Sequence, residues 1–258
     1  MFKDLFDFAY FPGYDAAIDY LAENLAQKEK WDYQHTPTSQ KKPILRSYLN
    51  YTFRRLHEQD KIIFIEERAF FNTGLVTENH EEIFAVFEKN RIPEKQEFCF
   101  KKFYKESHRL LRLCHPLPER ASYFNDPTNL IYDIRLGEPR IDYDHIINKN
   151  RDRIPEPYKS KDNDELYGYL ELAVRRAIKR VKQNYKVAVP QYFWDRNASS
   201  GLLQLLLPLC LTPQSRADLA LVINREGNVY TGETVLTIDD AYNNARLLAK
   251  PDTEWLEP

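Results

Sequence analysis

The sequence predicts an α+β fold, with an antiparallel or mixed sheet and helices packed on it, from three observations. The segment Asp164 to Lys186 places Leu166, Leu170, Ala173, Val174, Ala177, Ile178, Val181 and Tyr185 on one arc when wound at about 100° per residue, which makes it a helix with a core-facing stripe. Four runs follow, KVAVPQYF, LLQLLLPLCL, ADLALVINRE and NVYTGETVLT, each rich in branched apolar side chains and bounded by Pro, Asn, Ser or Gly, as strands are. A second helix then starts at Thr237, a suitable N-cap, and runs through Ala241, Ala245 and Leu248. The C-terminal unit therefore reads α-β-β-β-β-α. The nearly continuous apolar run Leu202 to Leu211 is expected to be the central strand of the sheet, covered on both faces. Arg225-Glu226-Gly227-Asn228 is expected to close a hairpin.

Earlier in the chain, Pro12-Gly13 ends an aromatic lead-in. Ala17, Ile18, Leu21 and Leu25 then define one side of a helix from about Tyr14 to Lys28. Asp15 and Asp19 in its early turns suit the positive end of the helix dipole. A polar stretch, QHTPTSQKK, leads to Pro43, whose fixed φ and missing N–H suit the first turn of a helix. That helix extends from Ile44 to Gln59 with Leu45, Leu49, Phe53 and Leu56 inward. Three strand-like runs come next, KIIFIEE, RAFFNTGLV and EIFAVFEKN. Two helices and a hairpin give residues 14–77 a winged-helix-like expectation.

From Phe98 to Asn150 the pattern is mostly β, broken by a helical turn at Ser107 to Cys114. Leu130 to Leu136 alternates with Asp133 and Arg135 outward, and Arg140 to Ile147 reads as a further strand. The tract NKNRDRIPEPYKSKDND is charged, carries two prolines and reads as a linker. It sets an N-terminal α+β region at 1–155 and the C-terminal unit at 156–258.

Composition narrows the functional classes. A 43% apolar and 14% aromatic content supplies ample core, while a formal charge of −2 excludes polyanion binding through bulk charge, so any nucleic-acid contact must be local. Three cysteines at wide spacing fit a reducing compartment and not a disulfide framework. The start, MFKDLFDFAYF, is interrupted by Lys3, Asp4 and Asp7, and no run reaches about 18 apolar residues, so a cytoplasmic protein without membrane partners is expected. Seven glycines, with neither GxGxxG nor GxxxxGK[ST], argue against a Rossmann or P-loop nucleotide site, and no cofactor is expected.

Two groups of residues are candidates for binding. Arg175, Lys179, Lys182 and Lys186 recur at helical spacing, with Arg176 and Arg180 on the shoulder and no acidic residue between Arg175 and Lys186. Such a face is either solvated, since basic residues suit the last turns of a helix, or a stripe that contacts phosphates. The second group comprises amides where apolar residues are expected: Gln191 after Pro190, Gln204 inside an apolar strand, and Asn72-Thr73 inside another. Buried amides need partners, which lie either within the fold or on a bound base or ribose. Tyr192, Phe193 and Trp194 offer stacking surfaces beside Gln191, and the closing helix adds Asn243, Asn244 and Arg246, the last a fork for phosphate or carboxylate.

Catalytic signatures are incomplete. His108, Cys114 and His115 lack the second ligand pair of a zinc site, so no metal is expected there. Asp218, with Glu233, partly matches the carboxylates of Mg²⁺-dependent nucleases, but no Lys follows at the E-x-K spacing. Ser199 and Ser200 lack a GxSxG elbow. RNA or nucleotide binding is the leading expectation. A metal-dependent phosphodiesterase or other nucleotide-processing enzyme and a protein-interaction module are the alternatives.

The runs YLNYTFRRL, FFNTGLVT, IFAVFEKN, RIPEPY, AVPQYF, QLLLPLCL, ADLALVINR and YTGETVLTIDDAYNNARLLAKPDTEWL, from Tyr48 to Leu256, resemble the bacterial family known as domain of unknown function 3825. Members of that family are joined to OST-HTH (LOTUS) modules thought to bind RNA. The resemblance therefore implies a role in RNA metabolism and OST-HTH-containing or other RNA-processing partners. It assigns no catalytic residue.

Overall fold

The computed structural model describes residues 4–195, 200–212, 216–252, 255 and 256. The chain divides into two compact units, one of Met1–Tyr33 with Pro37–Tyr123 and the other of Gln34–Thr36 with Phe124–Pro258.

The first unit begins with α1 (Leu5–Phe8), β1 (Ala9–Tyr10) and α2 (Tyr14–Tyr20), the last continuing into a π-helical turn, Leu21–Leu25. Helix α3 (Pro43–Glu58) has Pro43 in its first turn and buries Ile44, Leu45, Leu49, Phe53 and Leu56, the face its periodicity requires. Strands β2 (Ile63–Ile65), β3 (Arg68–Val76), β4 (Glu82–Lys89) and β5 (Phe98–Lys105) form an antiparallel meander, and β1 joins β5 in parallel to complete the order β1-β5-β4-β3-β2. The two strands expected to make a wing are thus members of a five-stranded sheet. Its aromatic core includes Phe8 against Phe53 at 5.0 Å between centroids and Phe71 stacked on Phe87 at 5.6 Å.

Asn72 and Thr73 sit where the β3–β4 register shifts. Asn72 Nδ2 donates to Glu82 Oε2 and to the Pro118 carbonyl, its Oδ1 accepts from the Gly74 N–H, and Thr73 Oγ1 donates to the Ile83 carbonyl. Both side chains are consumed by the bulge they create. Gly74 takes φ +75° there, a conformation that costs glycine little.

In the second unit, β6 (Arg140–Ile141) and α4 (Tyr143–Lys149) precede α5 (Asn163–Gln183), which leads into β7 (Val189–Asp195), β8 (Ser200–Leu209), β9 (Leu219–Glu226) and β10 (Val229–Leu236) and then α6 (Ile238–Arg246). The α-β-β-β-β-α order is present as the sequence predicts. The sheet order is β6-β10-β9-β8-β7, with β6 parallel to β10; β9 and not β8 is central, and β8 lies one strand from the edge with Leu202 exposed at its start. Leu166, Leu170, Ala173, Val174, Ala177, Ile178 and Val181 of α5 pack in one core with Leu205, Leu207 and Leu209 of β8 and Leu219, Leu221 and Ile223 of β9. The helix ends earlier than its pattern implies. Asn184 Oδ1 accepts the Lys186 N–H in a local turn that competes with further helix, so Tyr185 is exposed and Lys186 lies beyond the helical stripe.

Two expected strands take other forms for a shared reason. Leu130 to Leu136 is not a strand but parts of two 3-10 turns, Pro127–Leu130 and Ile134–Leu136, because Asp126 and Asp133 accept the N–H groups of Thr128 and Arg135. Only Arg140 and Ile141 of the Arg140–Ile147 run are extended, since Asp142 caps α4 by accepting from the His145 N–H. The tract around Pro155 is also ordered on the second unit. Ile154 belongs to the core, Tyr158 packs against it, and Arg151 donates to Asn163 Oδ1 at 2.7 Å and to the Lys159 and Lys161 carbonyls. The division between units therefore falls between Tyr123 and Phe124, not near Pro155.

One glycine of this sheet is fixed by its neighbour. A methyl group at Gly201 would coincide with the Tyr192 ring, which lies across that position. Gly201→Ala is expected to destabilise by about 1–3 kcal/mol through overpacking. Chemical denaturation measures it, and an unmoved midpoint would mean the ring swings aside freely.

Candidate functional site

Strand alternation sorts the second sheet into two faces. Leu203, Leu205 and Leu207 of β8 face α5, so Gln204, between them, faces the opposite side. The register aligns Gln191 of β7 with Gln204, and the steps Leu205 to Ile223 and Leu206 to Val222 bring Asn224 of β9 opposite Gln204. Thr231 of β10 pairs with Asn224, and Arg140 of β6 with Thr231. One row of polar residues thus crosses all five strands.

The amides in that row are linked head to tail. Asn244 Nδ2 on α6 donates to Gln191 Oε1 at 3.1 Å, Gln191 Nε2 to Gln204 Oε1 at 2.8 Å, and Gln204 Nε2 to Asn224 Oδ1 at 2.7 Å. Gln191 is buried, while Gln204 and Asn224 are half-buried. The ladder therefore runs from the interior beside α6 to the open part of the sheet. A primary amide has two N–H donors and two acceptor lone pairs, so Gln204 retains one of each and Asn224 keeps both N–H groups. Burial at one end fixes the orientation of the chain, and the remaining hydrogen-bonding capacity lies at the other end. Thr231 Oγ1 donates to Glu226 Oε1 at 3.2 Å at the outer part of this face.

An apolar step borders the row. Phe193 and Leu202 are paired across β7 and β8, two residues along from Gln191 and Gln204, and both are exposed, at 40% and 48%. The sequence offers Tyr192, Phe193 and Trp194 alike as stacking surfaces. Only Phe193 is open. Tyr192 and Trp194 alternate to the α5 side and are buried.

The expected site residues are thus only partly assembled. Gln191 and Gln204 meet directly, joined by Asn244 and by Asn224, which sequence reasoning misses. Its one signal is a polar residue closing the apolar run LALVI. Asn243 is half-buried on α6, and Arg246 is buried at 7% exposure, which removes it as an open phosphate fork. Arg175, Lys179 and Lys182 are exposed on α5, across the sheet from the ladder. Arg175 pairs with Glu171 at 3.1 Å and Lys182 with Glu138 at 2.8 Å. The latter lowers the Glu138 carboxyl, chiefly through its bond to Lys182.

Asp218 and His108, among the candidate catalytic groups, have structural partners. Asp218 Oδ2 accepts the Leu211 N–H at 2.8 Å and its own N–H donates to the Leu209 carbonyl, closing the β8–β9 connection. Glu233 lines a hollow with Tyr143 and Tyr167 and with Thr231 and Arg140 of the polar row. His108 Nδ1 accepts the Leu110 N–H, and Cys114 is buried in an apolar cluster whose desolvation pushes its thiol up. Among the described residues no three His, Cys, Asp or Glu side chains cluster as metal ligands. Ser199 lies outside the described residues. No helix among the described residues is long and apolar enough to cross a membrane.

A family model described as Domain of unknown function (DUF3825) matches residues 22–255. No curated protein and no solved structure matches the chain.

Proposed function

We infer, for a chain that belongs to the family described as Domain of unknown function (DUF3825), that the open end of the amide ladder is a surface for RNA or a nucleotide. The ladder supports this reading: it is anchored in the interior at Gln191 and presents spare donors and an acceptor at Gln204 and Asn224. Such groups match the hydrogen-bonding edges of an unpaired base. Phe193, exposed beside them, offers the π-face on which a base stacks. Glu226 keeps acceptor capacity beyond its bond from Thr231 and suits a ribose 2′-hydroxyl, the group that distinguishes RNA from DNA. Arg140, exposed at the far register position, is the cation nearest in the row for a phosphate.

The basic stripe on α5 lies on the other side of the sheet and is a solvated face in this reading. Fluorescence anisotropy with a short labelled single-stranded RNA, across a salt series, tests both statements. Phe193→Ala is expected to weaken binding roughly 5- to 150-fold, the equivalent of about 1–3 kcal/mol for one stacked base, with the salt slope unchanged. Changing Arg175, Lys179, Lys182 and Lys186 together to Gln should leave affinity and slope in place. A slope reduced by about two to three units in that variant would move the RNA to α5. No RNA affinity in the wild type would end the proposal.

A further inference from the structure

The same sheet carries a second feature, a hollow whose lining reaches Gln204 of the ladder. Near the open ends of β8 and β9, Leu203, Ile223 and Tyr230 form the floor of a hollow of about 350 Å³, with Ile131 and Asn129 from the 3-10 turn region across it and Arg225 among its lining side chains. That volume is at the lower end of the range of small-molecule sites, about 300–1,000 Å³, and the lining mixes apolar side chains with the polar groups of Asn129, Gln204 and Arg225. The walls are braced: Tyr230 stacks on Tyr132 at 4.7 Å, and its hydroxyl accepts the Asp133 N–H at 2.9 Å.

Arg225 is the informative residue. Its Nε makes one long bond, 3.4 Å, to the Gly227 carbonyl, and among the described residues no carboxylate forms an ion pair with it. The nearby Asp133 is already held by Arg135 through two bonds of 2.8 Å, and Asp126 accepts the Thr128 N–H. A guanidinium presents a planar fork of donors that fits a carboxylate or phosphate, and here it borders a hollow of mixed polar and apolar lining with its fork uncommitted. Asp126 and Asp133 both feel the Arg225 charge, so they stand close enough to disfavour a second negative charge on any ligand.

We propose that this hollow binds a small organic monoanion, a carboxylate on a compact apolar or aromatic body, with Arg225 gripping the carboxylate, Asn129 donating beside it and Leu203, Ile223 and Tyr230 enclosing the body. Binding here requires no RNA on the ladder, with which the hollow shares Gln204. Titration calorimetry of the full chain with benzoate, benzamide and phenyl phosphate tests it. Benzoate binds, and benzamide binds at least about tenfold more weakly because it lacks the charge. Arg225→Gln removes that preference, and Ile131→Trp, at an exposed position, fills the hollow and abolishes benzoate binding without moving the denaturation midpoint. RNA affinity is unchanged in both variants, which separates failure of this site from failure of the ladder. Absence of benzoate binding, equal binding of benzamide, an Arg225→Gln variant that binds benzoate like the wild type, or tighter binding of phenyl phosphate would each overturn the assignment.

Discussion

Leu170→Ala in α5 is expected to lower the stability of the second unit by about 2–5 kcal/mol. Leu170 is fully buried, and it belongs to the cluster in which α5 meets the apolar rows of β8 and β9. Truncation removes the transfer energy of the lost atoms and leaves a cavity that helix and sheet, both rigid elements, cannot close by collapse. Arg175→Gln, further along the exposed side, serves as the control and should fall within about 0.5 kcal/mol of the wild type. Urea denaturation followed by circular dichroism gives both numbers. If the two variants unfolded at the same denaturant concentration, the helix would not be packed by the face described.

That face is legible in the sequence because its information is local: a period of about 3.6 residues sustained over about six turns leaves little room for another reading. The four strands that follow are legible for the same reason, as is the Thr237 cap, whose Oγ1 accepts the Asp240 N–H. Local competition explains the errors. At Asp126, Asp133, Asp142 and Asn184 a side chain captures a backbone N–H two or three residues on, and that single bond outweighs an alternating or helical hydrophobic pattern.

The candidate site is less legible because it depends on register. Gln191 and Gln204 are 13 residues apart in the chain, and Asn224 lies 20 beyond Gln204, so their contact exists only once β7, β8 and β9 are aligned. A slip of one residue would send Gln204 to the α5 core and Leu205 outward. Apolar patterning forbids that slip, and in doing so it also fixes the ladder. The same alternation separates Phe193, which is open, from Tyr192 and Trp194, which are buried, although the three are adjacent in sequence. Composition alone offers no means of choosing among them.

Least legible in the sequence is the hold of α6 on residues 34–36. Asp239, in the first turn of α6, is completely buried, and its carboxylate accepts three consecutive backbone N–H groups, from Gln34 at 3.1 Å, His35 at 2.9 Å and Thr36 at 2.6 Å. More than 200 residues separate the partners, and nothing in the polar stretch around His35 marks it as a ligand for a carboxylate. The early-turn position also places the negative charge at the positive end of the helix dipole. Asp239→Ala removes a charged acceptor from all three donors and is expected to cost on the order of 2–4 kcal/mol, moderated because residues 34–36 are exposed and water can replace part of the loss. Asp239→Asn preserves shape but has one acceptor oxygen for three donors, and its NH₂ must face an N–H. It should lose about 1–3 kcal/mol and confirm that the carboxylate, not the volume, holds the segment. Hydrogen exchange resolves the cause: protection at the Gln34, His35 and Thr36 amides disappears in Asp239→Ala, while the amides of β8 slow or speed only with global stability. Retained protection at those three amides in Asp239→Ala would show that contacts other than this carboxylate hold residues 34–36 to the second unit.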